Sequence, residues 1–234
     1  MTTTLDIDSF LEDLERELRE THASLLDADF LAAVEAGTVS RAGIEAWARM
    51  FYAATRNGRF GLGTYYSNCP PDDRELTREL AENLYEEETG RISGVGKCHM
   101  DVFFDFLAAF GITPEEAFTL ELPGGNPLPQ GRAIPADDFY VELSVYGLSV
   151  EVPNAEYCVR IAKGLKENYG FTDADVTWFT MHAELDADHG EEFQSHVAKA
   201  ATAPRGLERV HDQTLAMSDS VRKVWDGFGV WRDK

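Results

Sequence analysis

The sequence is poor in lysine, and this scarcity limits the surfaces that the protein can bind. Only six of its 21 Lys and Arg residues are Lys, and 42 Asp and Glu residues give a net charge of -21 at pH 7. A surface of that sign is repelled by nucleic acid and by anionic membranes, so we expect neither as a partner. The composition is typical of a protein that works in high salt, where its self-repulsion is screened. The same composition is equally typical of an acidic protein at ordinary salt concentration whose net charge keeps it soluble.

Cysteine and long apolar runs are also scarce. The three cysteines, Cys69, Cys98 and Cys158, are odd in number and without CxxC spacing, which favours reduced thiols over a disulfide framework. No apolar run approaches the roughly 18 residues of a membrane span. The first residues lack the basic and apolar regions of a signal peptide. We therefore expect a cytoplasmic protein.

Helical periodicity dominates the chain, and no alternation typical of strands is convincing. We predict a single all-α domain over residues 1–234, a bundle of seven to eight helices with a loop at residues 122–131. Pro153 should end the fifth helix. The predicted helices cover, approximately, residues 7–35 with a kink, 41–66, 73–89, 99–110, 135–152, a segment ending at 169, 172–200, and a last helix after 204.

The most informative stretch is Phe179-Thr-Met-His182-Ala-Glu-Leu-Asp186-Ala-Asp-His189. It places two imidazoles and a carboxylate at offsets 0, 4 and 7, which lie within about 60° of one another on one stripe of a helix. Nitrogen and oxygen ligands that converge from one helix face suit a redox-active or Lewis-acid metal.

Further carboxylates stand where a facing helix could supply them. Glu151 is the only acid in a mostly apolar run over residues 145–152, and an acid there is costly unless it binds a cation or accepts strong hydrogen bonds. The triplet Glu86-Glu87-Glu88 precedes Gly90. We interpret Glu86 and Glu88 as solvated, but one acid of the triplet must face inward if the helix packs, because adjacent residues point about 100° apart.

His99 opens an apolar helix and lies on its core-facing stripe. A single histidine in that position is more often a satisfied core residue than a ligand. Together with the other candidates it completes a set of three histidines with up to three carboxylates. Such a mixture favours iron or manganese over structural zinc, which prefers a closed site with Cys.

These segments resemble the heme-oxygenase-like diiron oxidases over roughly residues 20–200. The resemblance rests on Asn83-Leu-Tyr-Glu-Glu-Glu-Thr-Gly90 followed by His99, then Glu151, then the Phe-Thr-x-His-x-x-x-Asp-x-x-His stretch. It implies a heme-oxygenase-like bundle, O2 as cosubstrate, a labile site of two Fe ions or a Mn/Fe pair, and a homodimer. The ligands that it implies are Glu87, His99, Glu151, His182, Asp186 and His189.

The sequence departs from the family pattern in the connection to His99. Eight residues, Arg91 to Cys98, separate Gly90 from His99, more than in the chlamydial branch of the family. This longer, Gly-rich segment leaves the choice between Glu87 and Glu88 open. It also suggests a helix that becomes ordered only when metal binds.

A second departure concerns the reaction. The chlamydial branch makes p-aminobenzoate with a Tyr and a Lys of its own chain, and the matching positions here are Leu31 and Ile161. We therefore do not expect that self-sacrificing chemistry. Pyrroloquinoline-quinone synthase and the thiamin-degrading relatives share the bundle without this full ligand set.

The sequence thus predicts an O2-dependent nonheme diiron oxidase or oxygenase that acts on a small molecule. The resemblance extends to amino acids, amines and fatty acids as substrates, and to N-oxygenation, oxidative C–C cleavage and desaturation as outcomes. The alternative is a metal-free binding or regulatory protein on the same bundle. A thiamin-salvage hydrolase ranks last, because Cys158 follows Glu156 by two residues and the two do not face each other on a helix.

Overall fold

A computed structural model of the chain describes residues 6–121, 131–185 and 189–234, without the side chains of residues 189–192. Within these ranges all regular elements are helical, which confirms the all-α prediction. None of these helices is both long and apolar enough to cross a membrane. The α-helices are α1 (Ile7–Glu20), α2 (Asp29–Glu35), α3 (Arg41–Thr55), α4 (Gly58–Asn68), α5 (Arg74–Thr89), α6 (His99–Ala108), α7 (Pro114–Phe118), α8 (Ala136–Tyr146), α9 (Val152–Tyr169), α10 (Thr177–Leu185), α11 (His189–Ala200) and α12 (Gly206–Trp225).

Capping residues set the helix ends that matter for the site. Asp73 caps α5 by accepting from the Leu76 amide at 3.2 Å, and Ser40 caps α3 by accepting from the Gly43 amide at 2.9 Å. Gly90 ends α5 in the left-handed region at φ +56°, which glycine adopts without the cost of a side chain. The predicted loop at 122–131 lies, apart from Gly131, outside the described residues.

Two predicted helices are interrupted. The first ends at Glu20, followed by a residue in the left-handed region, His22 at φ +52°. The helix predicted over residues 41–66 divides into α3 and α4. A turn over residues 173–176 precedes α10, which therefore begins at Thr177, later than the predicted start at residue 172.

An aromatic core fixes α3, α6 and α10 side by side. Trp47 and Phe51 of α3 stack with ring centroids 4.9 Å apart. Phe103 of α6 lies 5.7 Å from Phe51 and 6.2 Å from Phe179 of α10. All four rings are fully buried. Burial of such rings dominates core energetics, so this cluster positions α6 and α10, which carry His99 and His182.

Pro153 does not end a helix, contrary to the prediction. A π-helical turn, Gly147–Glu151, joins α8 to α9, and the Val152 amide donates to the Gly147 carbonyl five residues back. Proline has no N–H, and its ring crowds the preceding turn of a regular α-helix. A widened turn before Pro153 accommodates the ring, so the helical path continues and Glu151 lies on the wide turn.

The π turn depends on close packing between Gly147 and Phe193 of α11. A Cβ added at Gly147 would lie 2.0 Å from the Phe193 ring. We expect Gly147→Ala to destabilise the protein by about 1–3 kcal/mol, because a side chain forced into a filled space strains the core. Urea denaturation followed by circular dichroism measures this change.

Gly61→Ala is the matched control. Gly61 lies within α4 and a Cβ there would meet nothing within 4 Å. Alanine at that position should stabilise the helix by up to about 1 kcal/mol. Equal free energies of unfolding for the two variants would show that the Gly147 contact does not constrain the fold.

Candidate metal centre

Three potential ligands from three helices converge inside the bundle. Glu87 of α5, His99 of α6 and His182 of α10 each offer a ligand atom, and these atoms lie within 4.8 Å of one another. Glu87 Oε1 is 3.0 Å from His99 Nδ1, and the His99 and His182 ring centroids are 5.0 Å apart. The structure thus brings together half of the predicted ligand set.

His182 is held with one ring nitrogen available. Its Nδ1 lies 2.8 Å from the Trp178 carbonyl oxygen, which can only accept, so Nδ1 carries the hydrogen and the lone pair is on Nε2. Burial lowers the pKa of His182 to about 4, and the imidazole is therefore neutral near pH 7. A neutral histidine with its other nitrogen bonded to a carbonyl is the usual form of a metal ligand.

His99 lies between two carboxylates. Its Nδ1 faces Glu87, and its Nε2 is 3.1 Å from Glu86 Oε1. Burial alone would lower the pKa of His99, but these two carboxylates outweigh burial and raise it. Burial likewise opposes ionisation of Glu87, yet the hydrogen bond and charge of His99 hold the pKa of that carboxyl below its usual value.

Glu86 is buried, and the prediction that it is solvated is wrong. It is only 5% exposed and accepts from the Ile92 amide at 2.6 Å and the Ser93 amide at 3.1 Å. The Gly-rich segment folds back over the end of α5 and presents these donors, which compensate for the burial of the carboxylate. Sequence reasoning missed this because the triplet gives no sign of which acids face inward.

Glu88 is solvated as predicted. It is half-exposed and pairs with the Arg59 guanidinium, at 3.0 Å between Nε and Oε1. Since Glu86 is engaged by backbone amides and Glu88 points to an arginine, Glu87 is the acid of the triplet that faces the two histidines.

Among the described residues, Glu151 does not join the three ligand atoms that converge; it is held by Tyr146, a contact that the sequence did not predict. The Tyr146 hydroxyl donates a short hydrogen bond to Glu151 Oε1. Burial and the charge of Glu151 raise the pKa of Tyr146 well above its usual value, so the phenol stays neutral and donates. The charge of Glu87 acts in the same direction. Residues five apart share a face only in a π-helical turn, and the sequence did not predict one.

The remaining two predicted ligands cannot be placed. Asp186 and the side chain of His189 lie outside the described residues. The described chain on either side forms α10 and α11. Their convergence with the other ligands stays a prediction.

The donor set fits iron. Two imidazoles and a carboxylate offer the intermediate and hard ligands that suit a redox-active divalent metal. Among the described residues, the cluster contains no cysteine. A structural zinc site usually has cysteine ligands. The side chains of His99 and His182 are largely removed from solvent, which strengthens their interaction with a cation.

A helical bundle with a buried cluster of imidazoles and a carboxylate is typical of metal-binding helical proteins. Comparison with known proteins identifies the family within that class. A family model described as an iron-containing redox enzyme matches residues 45–221. That match covers more than half of the chain, so the chain belongs to this family and is an oxidoreductase.

Two relatives are named 4-aminobenzoate synthase. The chain is 27% identical to the protein of Chlamydia trachomatis serovar D, with 94% of this chain and 90% of that one covered. It is 25% identical to the protein of Chlamydia pneumoniae, with 79% of each chain covered. The predicted resemblance is therefore confirmed at the level of the family.

A solved structure shows the same fold. It is a domain of unknown function with a heme oxygenase-like fold from Shewanella denitrificans OS217, with a TM-score of 0.65 and 15% identity. The match covers 95% of this chain and 92% of that one. At that identity the likeness concerns the fold alone, and it confirms the predicted heme-oxygenase-like bundle.

Adjacent glutamates allow a test of the inward-facing acid. We expect Glu87→Ala to weaken Co(II) binding by at least about 100-fold. Removing a residue that hydrogen-bonds to a ligand already lowers metal affinity by up to about 100-fold, and removing the ligand itself should lower it at least as much. Glu88→Ala should leave the dissociation constant within about threefold, since that side chain is half-exposed and turned away. Anaerobic optical titration measures both, and equal losses would contradict the assignment.

Metal affinity should depend on pH through His99. Because protonated imidazole cannot bind a metal and the pKa of His99 is raised, Co(II) affinity should rise with pH until that pKa is passed and then level off. His182 is already neutral over this range, with its pKa at about 4. Calorimetric titrations at constant ionic strength from about pH 6 to about pH 9 test this. An affinity that does not change with pH would contradict it.

Proposed function

We propose that the protein is an O2-dependent nonheme diiron oxidase or oxygenase that acts on a small molecule. The observation that carries this proposal is the convergence of Glu87, His99 and His182 from three separate helices within 4.8 Å. The family supports iron and redox chemistry. We propose further that the site holds two metal ions, either Fe/Fe or Mn/Fe, and that O2 is the cosubstrate.

The proposed site uses six residues of the chain. When bound there, two iron ions would supply the electrons that activate O2 and the oxidising power that acts on the substrate. The ligands would be Glu87, His99, Glu151, His182, Asp186 and His189.

Neighbouring residues prepare this site for a metal. The Tyr146 hydroxyl orients the Glu151 carboxylate, and the Trp178 carbonyl fixes which nitrogen of His182 carries hydrogen. The Trp178 ring also packs on His182, with centroids 4.0 Å apart. Together with the buried Phe103, it keeps water from this side of the ligands.

The substrate is proposed to be a separate molecule and not a side chain of this protein. The relatives' name, 4-aminobenzoate synthase, fits oxidation of an amine or an aromatic compound. Leu31 and Ile161, which match the reacting Tyr and Lys of the chlamydial branch, are fully buried in the apolar core, where neither offers a phenol or an amine. We propose amino acids, amines or fatty acids as the substrate class, with N-oxygenation, C–C cleavage or desaturation as the outcome.

Anaerobic Fe(II) titration followed by O2 exposure tests the proposal. We expect about two irons per chain, in keeping with carboxylate-bridged sites of helical bundles, and a transient visible absorption band after O2 is added. Mössbauer spectroscopy should show high-spin Fe(II) converting to coupled Fe(III). His182→Ala and Glu151→Ala should each lower the iron content.

Two outcomes would overturn the proposal. One is the absence of iron uptake, which would favour the metal-free binding or regulatory protein. The other is uptake that neither variant affects. A homodimer remains a separate prediction from the family resemblance, and light scattering of the purified protein tests it.

A further inference from the structure

One carboxylate, that of Glu86, holds the connection between α5 and α6 in place through hydrogen bonds. Glu86 Oε2 accepts from the Ile92 amide, while Oε1 accepts from the Ser93 amide and lies 3.1 Å from His99 Nε2. The Gly96 amide donates to the Gly90 carbonyl at 2.7 Å and closes the turn. A single side chain therefore joins the end of α5, the Gly-rich turn and the first residue of α6.

Glycine makes this closure possible. Gly90 is at φ +56°, and a Cβ there would lie 2.4 Å from the Lys97 carbonyl oxygen. Gly94 and Gly96 also have positive φ, at +82° and +67°. The eight residues from Arg91 to Cys98 can thus fold tightly enough for their amides to reach a carboxylate on the preceding helix.

We propose that Glu86 is a positioning residue that fixes the His99 imidazole with Nε2–H bonded to its carboxylate and Nδ1 turned towards Glu87 and His182. A metal in the proposed site, on which this inference rests, then binds His99 through Nδ1. The turn that carries His99 is formed before the metal arrives.

The two ring nitrogens of His99 have different partners. Nδ1 is 3.0 Å from Glu87, which lies in the cluster with His182. Nε2 faces Glu86, whose oxygens already accept two backbone amides. A metal among Glu87, His99 and His182 takes the Nδ1 lone pair, and Nε2–H remains on Glu86. A carboxylate behind a metal-bound histidine fixes the ring and makes it a stronger donor.

This inference opposes the expectation that the segment becomes ordered only on metal binding. A buried carboxylate with three donors is strongly stabilised without a metal. The two possibilities differ in the metal-free protein, in which the amides of Ile92 and Ser93 are either protected or free to exchange.

Hydrogen exchange of the metal-free protein is the first test. We expect protected amides at Ile92 and Ser93 in the unmodified chain, with exchange at least about tenfold faster in Glu86→Ala. Glu88→Ala, which alters the neighbouring but solvated acid, should leave these amides protected. Unprotected amides in the metal-free, unmodified chain would overturn the preformed turn.

Nitrogen-15 NMR of the unmodified protein loaded with Zn(II) is the second test. We expect His99 to show a metal-bound Nδ1 and a protonated Nε2. Glu86→Ala should weaken Zn(II) binding by about 10–100-fold, and Glu86→Gln, which keeps an acceptor oxygen, should recover part of that loss. Zn(II) on Nε2, or unchanged affinity in Glu86→Ala, would overturn the inference.

Failure of the diiron proposal has a different result. If neither Zn(II) nor Fe(II) binds the unmodified chain, the diiron proposal fails and the assignment of Nδ1 as the metal-binding atom fails with it. The hydrogen-exchange experiment still tests whether the turn is formed without metal.

Discussion

The need to pair buried charge is the constraint on which the rest of this structure depends. His99 lies inside an apolar bundle between two carboxylates, and each of the three groups would be costly there alone. Glu86 offsets its own burial with backbone amides and Glu87 with the imidazole. The polar cluster can therefore exist before any metal is added. Its geometry is then fixed by the aromatic core that holds α3, α6 and α10 together.

The π turn before Pro153 fixes Glu151, a further candidate ligand that is not among the described ligand atoms that converge at Glu87, His99 and His182. A regular helix would place Tyr146 and Glu151 on different faces, whereas the wide turn lets the hydroxyl hold the carboxylate. Proline makes a regular α-turn unfavourable there. Gly147 leaves room for Phe193 against the same turn. Pro153, a residue type that normally ends a helix, thus favours a π turn that brings Tyr146 to the candidate ligand Glu151. Such turns are frequent at functional sites.

The chain is 25% and 27% identical to the two chlamydial 4-aminobenzoate synthases, so most side chains differ within one family. Glu87 and the two histidines depend on the helix framework. Leu31 and Ile161, the positions that the resemblance matches to the reacting Tyr and Lys of the chlamydial branch, belong to the packed apolar core. In the turn before His99, Glu86 anchors the chain by accepting from the Ile92 and Ser93 amides.

The sequence by itself determined the helical class, the family and the candidates His99, Glu151 and His182, because helix period, capping residues and motif spacing are local properties. It selected Glu87 only through the family resemblance, left Glu88 open and wrongly took Glu86 as solvated, since the orientation of α5 depends on partners far along the chain. It also did not predict that Tyr146 holds Glu151, and it took Pro153 for a helix end, because a π turn has no distinct period in the sequence. Only the tertiary structure decided that Glu86 is buried, that Glu87 faces the histidines and that Glu88 meets Arg59. The physical reason is that burial and charge pairing arise between helices, where spacing along the chain carries no information.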